Sequence, residues 1–366
     1  MGSSLARSPD GISYLSWLEP AGNGAWLLKF SRFDSAGQQW GEARNIARGS
    51  DWFINWADFP VLAAEAGRLT AVWFVDQPAT DSGAHGEAYR AVFSISSDEG
   101  RTWTEPHPIT GESASVEFVA LQRLPDGRML AAWLDGRGRS VGNERQALYA
   151  RVLGEPGSDA LVDPSVCDCC QLSLAVAPDG GVLLAYRGRT KDEIRDMQVA
   201  RFDGHTWSQP TPLNADGWKI AGCPVNGPQL ATSGRFAGAV WFTAPNQEPQ
   251  VLARVSTDAG RTFGPVRRID LGRPQGRVDA AMFADGTFAL TWLEGTGQPR
   301  SSAGGVYLRS LSAEGELSDA AMLAPMSANR VSGFPRIIRS GQRQITLTLT
   351  QDALPSRIRT FQVDLP

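Results

Sequence analysis

The chain has 366 residues, 42% of them hydrophobic and 20% charged, a globular composition that excludes intrinsic disorder. With 35 Lys and Arg against 39 Asp and Glu the formal charge is -4, spread without a basic run, which argues against a nucleic-acid or anionic-membrane partner. No stretch approaches ~18 uninterrupted apolar residues, so no membrane span is expected. The first eight residues hold no hydrophobic signal core, and Ala6 breaks the myristoylation pattern; either the protein is cytosolic or the chain begins after a removed export signal.

Along the chain, 39 Gly, 23 Pro and 12 Trp punctuate short apolar runs, which reads as all-β and calls for a search for repeats. An apolar strand carrying an aromatic recurs at Trp17, Trp73, Trp133, Tyr186, Trp241 and Trp292, with Leu349 in the matching place of a seventh copy. The interval is roughly 50 to 60 residues, within the range of propeller repeats. Each copy is preceded by a short strand, beginning near residues 4, 59, 117, 170, 227, 277 and 334. Turns such as Pro125-Asp126-Gly127 and Pro178-Asp179-Gly180 join the two as tight hairpins. A third strand follows each copy (Tyr89 to Ser94, Gln198 to Phe202, Val251 to Val255), then a shorter fourth such as Arg267 to Ile269. Four antiparallel strands repeated about seven times predict a single β-propeller domain over residues 1–366. Six blades remain open if one weak repeat is an elaborated loop. The last repeat ends after its third strand, whose partner is either absent or supplied from upstream.

Between third and fourth strands stand Ser96-Ser97-Asp98-Glu99-Gly100-Arg101-Thr102-Trp103 and Ser256-Thr257-Asp258-Ala259-Gly260-Arg261-Thr262-Phe263, both of the Asp-box form S-x-D-x-G-x-[ST]-[WF]. Asp98 and Asp258 are expected to accept turn N–H groups, Gly100 and Gly260 to adopt a conformation costly for other residues, and Trp103 and Phe263 to pack beneath. Degenerate copies run from Ser31 to Trp40, Asp203 to Trp207 and Ser310 to Leu317. The motif is a hairpin lock without chemistry of its own.

On these residues the chain resembles the Asp-box (BNR-repeat) propellers of the sialidase-like superfamily. The segments Val166-Cys167-Asp168-Cys169-Cys170-Gln171, Ala185 to Arg189, Asp192 to Asp196 and Gly217 to Pro228 resemble bacterial exported proteins labelled sialidase-like or exo-sialidase-like. The resemblance implies a periplasmic or secreted protein.

In a propeller the hairpins between third and fourth strands point to one face, so the opposite face collects the starts of first strands and the ends of second strands. Asp58, Cys167, Cys169, Cys170, Cys223, Asn226, Arg277, Asp279 and Arg336 come from the starts. Glu19, Asp76, Asp135, Arg187, Glu294 and Asp352 come from the ends, a ring of charge around a central depression, or simply solvated strand ends. Trp52, Trp56 and Trp218 approach the same face and are placed either to stack on sugar rings or to pack on the rim.

All four cysteines fall in two segments that begin the first strands of adjacent repeats, so they should lie together. Three readings stand: disulfides, favoured by the oxidising compartment that the resemblance implies; a Cu(I) or Zn(II) site of three or four thiolates; or inert buried thiols. His85, His107 and His205 are scattered and suggest no mixed His/Cys site. The charged segment from Arg187 to Asp196 is either a solvated loop or a loop that turns Arg187 and Arg189 inward to hold an anion, with Asp192, Glu193 or Asp196 orienting them and Lys219 approaching from the next repeat.

A sialidase-like site needs an arginine cluster, a tyrosine nucleophile and a carboxylic acid. Arg187, Arg277 and Arg336 supply the first, and Asp58, then Asp135, the acid; Asp58 paired with Asp135 or Glu193 would serve a two-carboxylate hydrolase. The five tyrosines all read as strand positions within blades, and Asp58-Phe59-Pro60 stands where the family carries an R-I-P element. The expected role is therefore binding of a small-molecule, glycan or soft-metal ligand at the cysteine cluster. The alternatives are a sialidase-like glycoside hydrolase using paired carboxylates, and a scaffold that binds a protein partner on the propeller rim.

Overall fold

The computed structural model describes residues 2–76, 89–111, 115–138, 145–296, 303–353 and 355–365. His85 lies outside them. Strands make up nearly all of the regular structure; among the described residues the helical content noted is short 3-10 turns such as Pro245–Gln247 and Arg330–Ser332. No helix of the described residues is long and apolar enough to cross a membrane. Seven antiparallel sheets follow one another along the chain, each built in sequence order, and the fold is a seven-bladed β-propeller, as the repeats predict.

The chain divides into two compact units, Met1–Leu161 and Val162–Pro366. In the first, blade one starts with Ser4–Arg7, blade two with Val61–Ala64 and blade three with Val116–Arg123. In the second, blades four to seven start with Ser173–Val176, Gln229–Ser233, Pro274–Met282 and Arg336–Arg339. Two blades depart from four strands. Blade one gains Arg44–Gly49 beside its third strand, and blade seven has three strands among the described residues.

The second strand of each blade carries the core. Leu69–Asp76 is buried at every residue but its last, and Met129–Asp135, Val182–Arg187 and Phe236–Thr243 are buried throughout. A strand covered on both faces by neighbouring sheets is selected as a continuous apolar run instead of an alternating one. Its recurrent aromatic is the largest group buried there: Trp133, Tyr186, Trp241 and Trp292 are wholly inaccessible. Each contributes about 1.5–3 kcal/mol of burial.

That aromatic also determines what happens to the acids at the strand ends. Trp17 Nε1 donates to Glu19 at 2.7 Å, Trp133 Nε1 to Asp135 at 2.8 Å and Trp292 Nε1 to Glu294 at 2.5 Å. Glu19, Asp135 and Glu294 thus cap the indoles of their own blades.

The Asp-boxes form as expected. Asp98 accepts the amides of Arg101 and Thr102 and the hydroxyls of Ser96 and Thr102 at 2.7–3.0 Å, bonds that hold its carboxyl below the usual range. Asp258 repeats the pattern, with the Thr262 hydroxyl and amide foremost in lowering it to about 2. Gly100 and Gly260 have φ of 80° and 76°. A Cβ on Gly100 would meet Phe30 of the preceding blade at 2.2 Å, and Trp103 packs edge-on against the same Phe30 ring, so the turn also docks one blade on the next.

Candidate metal centre

The four cysteines are brought together at the start of blade four, inside the second unit. The segment before the first strand pairs with the end of the second: Val166 bridges Gly188, and Cys167 N donates to Arg187 O at 2.9 Å. This places Cys167 beside a tight turn through Asp168 to Cys170. Cys167 Sγ lies 3.9 Å from Cys169 Sγ and 3.4 Å from Cys170 Sγ, and all three sulfurs fall within 4.8 Å of one another. Cys223, from the loop before blade five, shares a hydrogen bond with Cys169. All four are free thiols, graded in depth: Cys167 and Cys170 are buried, Cys169 is half-buried and Cys223 is exposed.

The cluster is electrostatically asymmetric. Hydrogen bonds with Cys169 and Cys170, aided by the charges of Arg187 and Arg195, hold Cys167 well below the usual thiol range despite burial. Burial and the neighbouring Cys167 push Cys170 up to about 12, and the bonds to its neighbours raise Cys169. The hydrogen bond with Cys169 lowers Cys223 to about 7. Negative charge is thus favoured first at Cys167, toward which Cys169 and Cys170 donate, and next at Cys223, toward which Cys169 donates.

The charged segment folds inward as a hairpin loop, not as a solvated one. Thr190 N bonds Ile194 O at 3.0 Å, Glu193 closes the turn with φ of 63°, and Arg195 N bonds Trp218 O at 2.9 Å. Arg195 Nη1 then donates to Cys167 Sγ at 3.3 Å, while its Nη2 holds Glu193 at 2.7 Å. Arg189 is tied to Glu193 at 2.9 Å and to Asp168 at 2.8 Å. Glu193 is thus an ion-paired clamp between two arginines, and those bonds hold its carboxyl below the usual range.

Arg187 is 1% exposed, and its guanidinium donates to the carbonyls of Arg195, Asn226 and Phe242 at 2.7–2.8 Å. It lies over the Trp218 ring, Cζ to centroid 4.7 Å. Neutral carbonyls satisfy its N–H groups but leave its charge, and an anion nearby is what makes such burial tolerable. Its field acts on Cys167 and Cys170.

The other expected site residues have separate partners. Asn226 accepts Arg277 N through Oδ1 at 2.8 Å, and Asp279 accepts Ile337 N at 2.7 Å, so each stitches its blade to the next. Arg277, with φ of 52°, spends its guanidinium on the carbonyls of Gly333, Ala328 and Asn329. Arg336 stands 3.8 Å from Asp279 and over Phe334. Arg187 and Arg277 are thus occupied by main-chain carbonyls instead of offering an open cluster for a carboxylate. Trp218 is 6% exposed beneath Arg187, which leaves no free face for a sugar, and Lys219 is exposed.

In the first unit Asp58 is 4% exposed and accepts both Tyr89 Oη and Phe118 N at 2.9 Å. Burial pushes its carboxyl well above the usual range, with Glu117 adding to the rise. Tyr89, read from sequence only as a strand position, stacks on Phe53 with centroids 3.7 Å apart. Asp135 is fully buried, bonded to Trp133 and to Arg137 at 2.7 Å. Trp56 is half-buried in the loop that leads to Asp58.

A family model described as a BNR repeat-like domain matches residues 23–229, more than half of the chain. The protein belongs to this BNR repeat-like family. Solved structures extend the likeness of the BNR propeller across its length. The BP39L lectin from Burkholderia pseudomallei superposes with a TM-score of 0.67 at 11% identity, covering 99% of this chain and 95% of the lectin. A Hadza microbial sialidase gives 0.53 at 15% identity, covering 93% and 74% respectively. A protein of unknown function from Dyadobacter fermentans gives 0.52 at 16% identity, covering 84% and 94%. At these identities the BNR propeller shares a fold with the three and nothing more is carried over. No curated protein matches the sequence.

Proposed function

We propose that this BNR propeller binds a soft metal ion through Cys167, Cys169 and Cys170, in the periplasm or outside the cell. The observation that carries the reading is the convergence of three sulfurs within 4.8 Å beside two arginines. Thiolates select Cu(I) or Zn(II), and three sulfurs at this spacing need only small rotations to share one ion. Each ligand must lose its proton, which costs free energy at a buried site. Arg187 and Arg195 lower that cost, because they already neutralise one thiolate and are positioned to offset further charge.

The test is a native mass spectrum of unreduced protein prepared without chelator. A mass surplus equal to one Cu or Zn, lost in Cys167→Ser, is expected. A deficit of two hydrogens per bridge with no metal uptake would make the cysteines disulfide staples and overturn the reading.

One observation favours a second reading, hydrolysis of a glycan: the phenol of Tyr89 meets Asp58, with Glu117 beside both. Burial and the charges of Asp58 and Glu117 raise this phenol above its usual range, so in this reading Asp58, itself raised by burial, is the proton donor and Tyr89 its hydrogen-bond partner. Turnover of a panel of aryl glycosides, abolished by Asp58→Asn, would establish it. Silence across the panel would leave Asp58 as the buried acceptor of Phe118 N.

A further inference from the structure

We propose, resting on the thiolate reading above, that Cys223 is a transfer thiol which takes Cu(I) from a small thiol carrier and passes it inward through Cys169 to Cys167 and Cys170. Three observations place it in that role. The four sulfurs are graded from exposed to half-buried to buried along one connected set of hydrogen bonds. Cys223 comes from a different blade, so it approaches the turn holding the other three from outside. Its loop is separately anchored, by Asn226 Nδ2 to Pro224 O at 3.1 Å and by Gly227 N to Gln171 Oε1 at 3.1 Å, which keeps the sulfur next to Cys169 without making it part of the buried turn.

The exchange balances without any change of oxidation state. A carrier bis-thiolate, RS–Cu–SR, is attacked by the Cys223 sulfur. A Cu–S(Cys223) bond forms, one Cu–SR bond breaks, and the thiol proton of Cys223 leaves on the released RSH. Cys169 displaces the second carrier thiolate in the same way, its proton going to that RSH. Cys170 then replaces Cys223 and hands its proton to the departing Cys223 thiolate; where the Cys167 thiolate replaces it instead, Cys223 leaves as a thiolate and takes a proton from solvent. The net change moves one Cu(I) from two carrier thiolates to two protein thiolates and releases two RSH. The route suits a buried site, because a metal crossing from sulfur to sulfur is never free in solution and is never under-coordinated.

The partner is thus a thiol-bearing Cu(I) carrier, and the probe is the Cu(I) complex of glutathione. Anaerobic stopped-flow loading of the reduced protein, and unloading to excess glutathione, are compared for wild type and Cys223→Ser. A transfer thiol assists both directions, so both rate constants are expected to fall about tenfold or more, and their ratio, the equilibrium constant, to move far less. Unchanged loading with faster unloading would make Cys223 an ordinary fourth ligand and overturn the proposal. Unchanged rates in both directions would overturn it as well. Failure of the wild-type protein to take up Cu(I) at all would remove the thiolate reading itself, a result distinct from the other two.

Discussion

Arg195 Nη1 stands 3.3 Å from the sulfur of Cys167, and the same guanidinium is held from its other side by Glu193 at 2.7 Å. A buried thiolate thereby receives a charge-assisted hydrogen bond from a donor that is itself fixed in orientation. The pair connects the blade-four turn to the charged loop and makes the loop part of the site.

Replacing Arg195 by Ala removes this bond and one compensating charge while leaving every sulfur in place. A charged hydrogen bond contributes about 1.5–3 kcal/mol, so Cu(I) affinity should weaken by roughly tenfold or more. Competition with a colorimetric Cu(I) chelator measures it. Arg195→Lys should recover part of the loss.

Differential alkylation reads the gradient of depth. Cys223 is exposed and lowered to about 7, so at pH 7.5 more than half of it is thiolate and iodoacetamide should modify it first. The rate should drop about tenfold for each pH unit well below that value. Cys167 and Cys170 should stay unmodified until the protein unfolds, Cys167 because burial blocks access to its thiolate. Peptide mapping of a timed reaction distinguishes this order from uniform labelling.

Asp279 predicts a pH dependence of stability. Burial raises its carboxyl from 3.8 to about 6, opposed by Arg336 and by the Ile337 amide. The folded chain thus binds this proton more tightly than the unfolded chain. Its favourable contribution is complete below pH ~4 and is lost as the pH rises through 6, by at most about 2–3 kcal/mol. Asp279→Asn keeps a carbonyl oxygen for Ile337 N and abolishes the titration. The stability difference between wild type and variant, from urea unfolding at pH 4 and pH 7, should shift in the variant's favour by up to that amount.

Gly227, in the loop that leads into blade five, lies directly against the main chain that leads into blade four. A Cβ there would come 2.1 Å from Gln171 O, main chain against main chain, with no flexible side chain able to give way. Gly227→Ala should cost about 1–3 kcal/mol or more, seen as a lower urea midpoint. Since Gln171 directly follows the cysteine turn, metal affinity should fall with it.

Seven blades, the hairpin order and both Asp-boxes were legible because each rests on local periodicity: an apolar run around a fixed aromatic, and a turn whose carboxylate bonds its own backbone. The clustering of Cys167, Cys169, Cys170 and Cys223 was legible from their positions in adjacent repeats. The fate of the acids was not, although its sign was present: Trp17-Leu18-Glu19, Trp133-Leu134-Asp135 and Trp292-Leu293-Glu294 share a spacing that puts the acid within reach of the indole. Arg195 carried no signal of its own within that charged segment; its bond to Cys167 forms only through the hairpin loop that Glu193 closes. Asp58, Asn226 and Asp279 looked like site residues because inner-strand starts attract function. Each also completes the backbone hydrogen bonding of the following blade, a pairing between residues some 50 to 60 positions apart that no local pattern reveals.

Asn226 holds two neighbours at once: its main-chain oxygen receives the Arg187 guanidinium, and its Oδ1 receives the amide of Arg277. It is a mechanical junction across three successive sheets, with a buried arginine whose field acts on Cys167 and Cys170 on one arm and a peptide N–H on the other. Any displacement of Arg187 as the thiolates gain or lose charge pulls on that junction. Deuterium uptake at the Arg277 amide would then register events at the cysteines from two blades away.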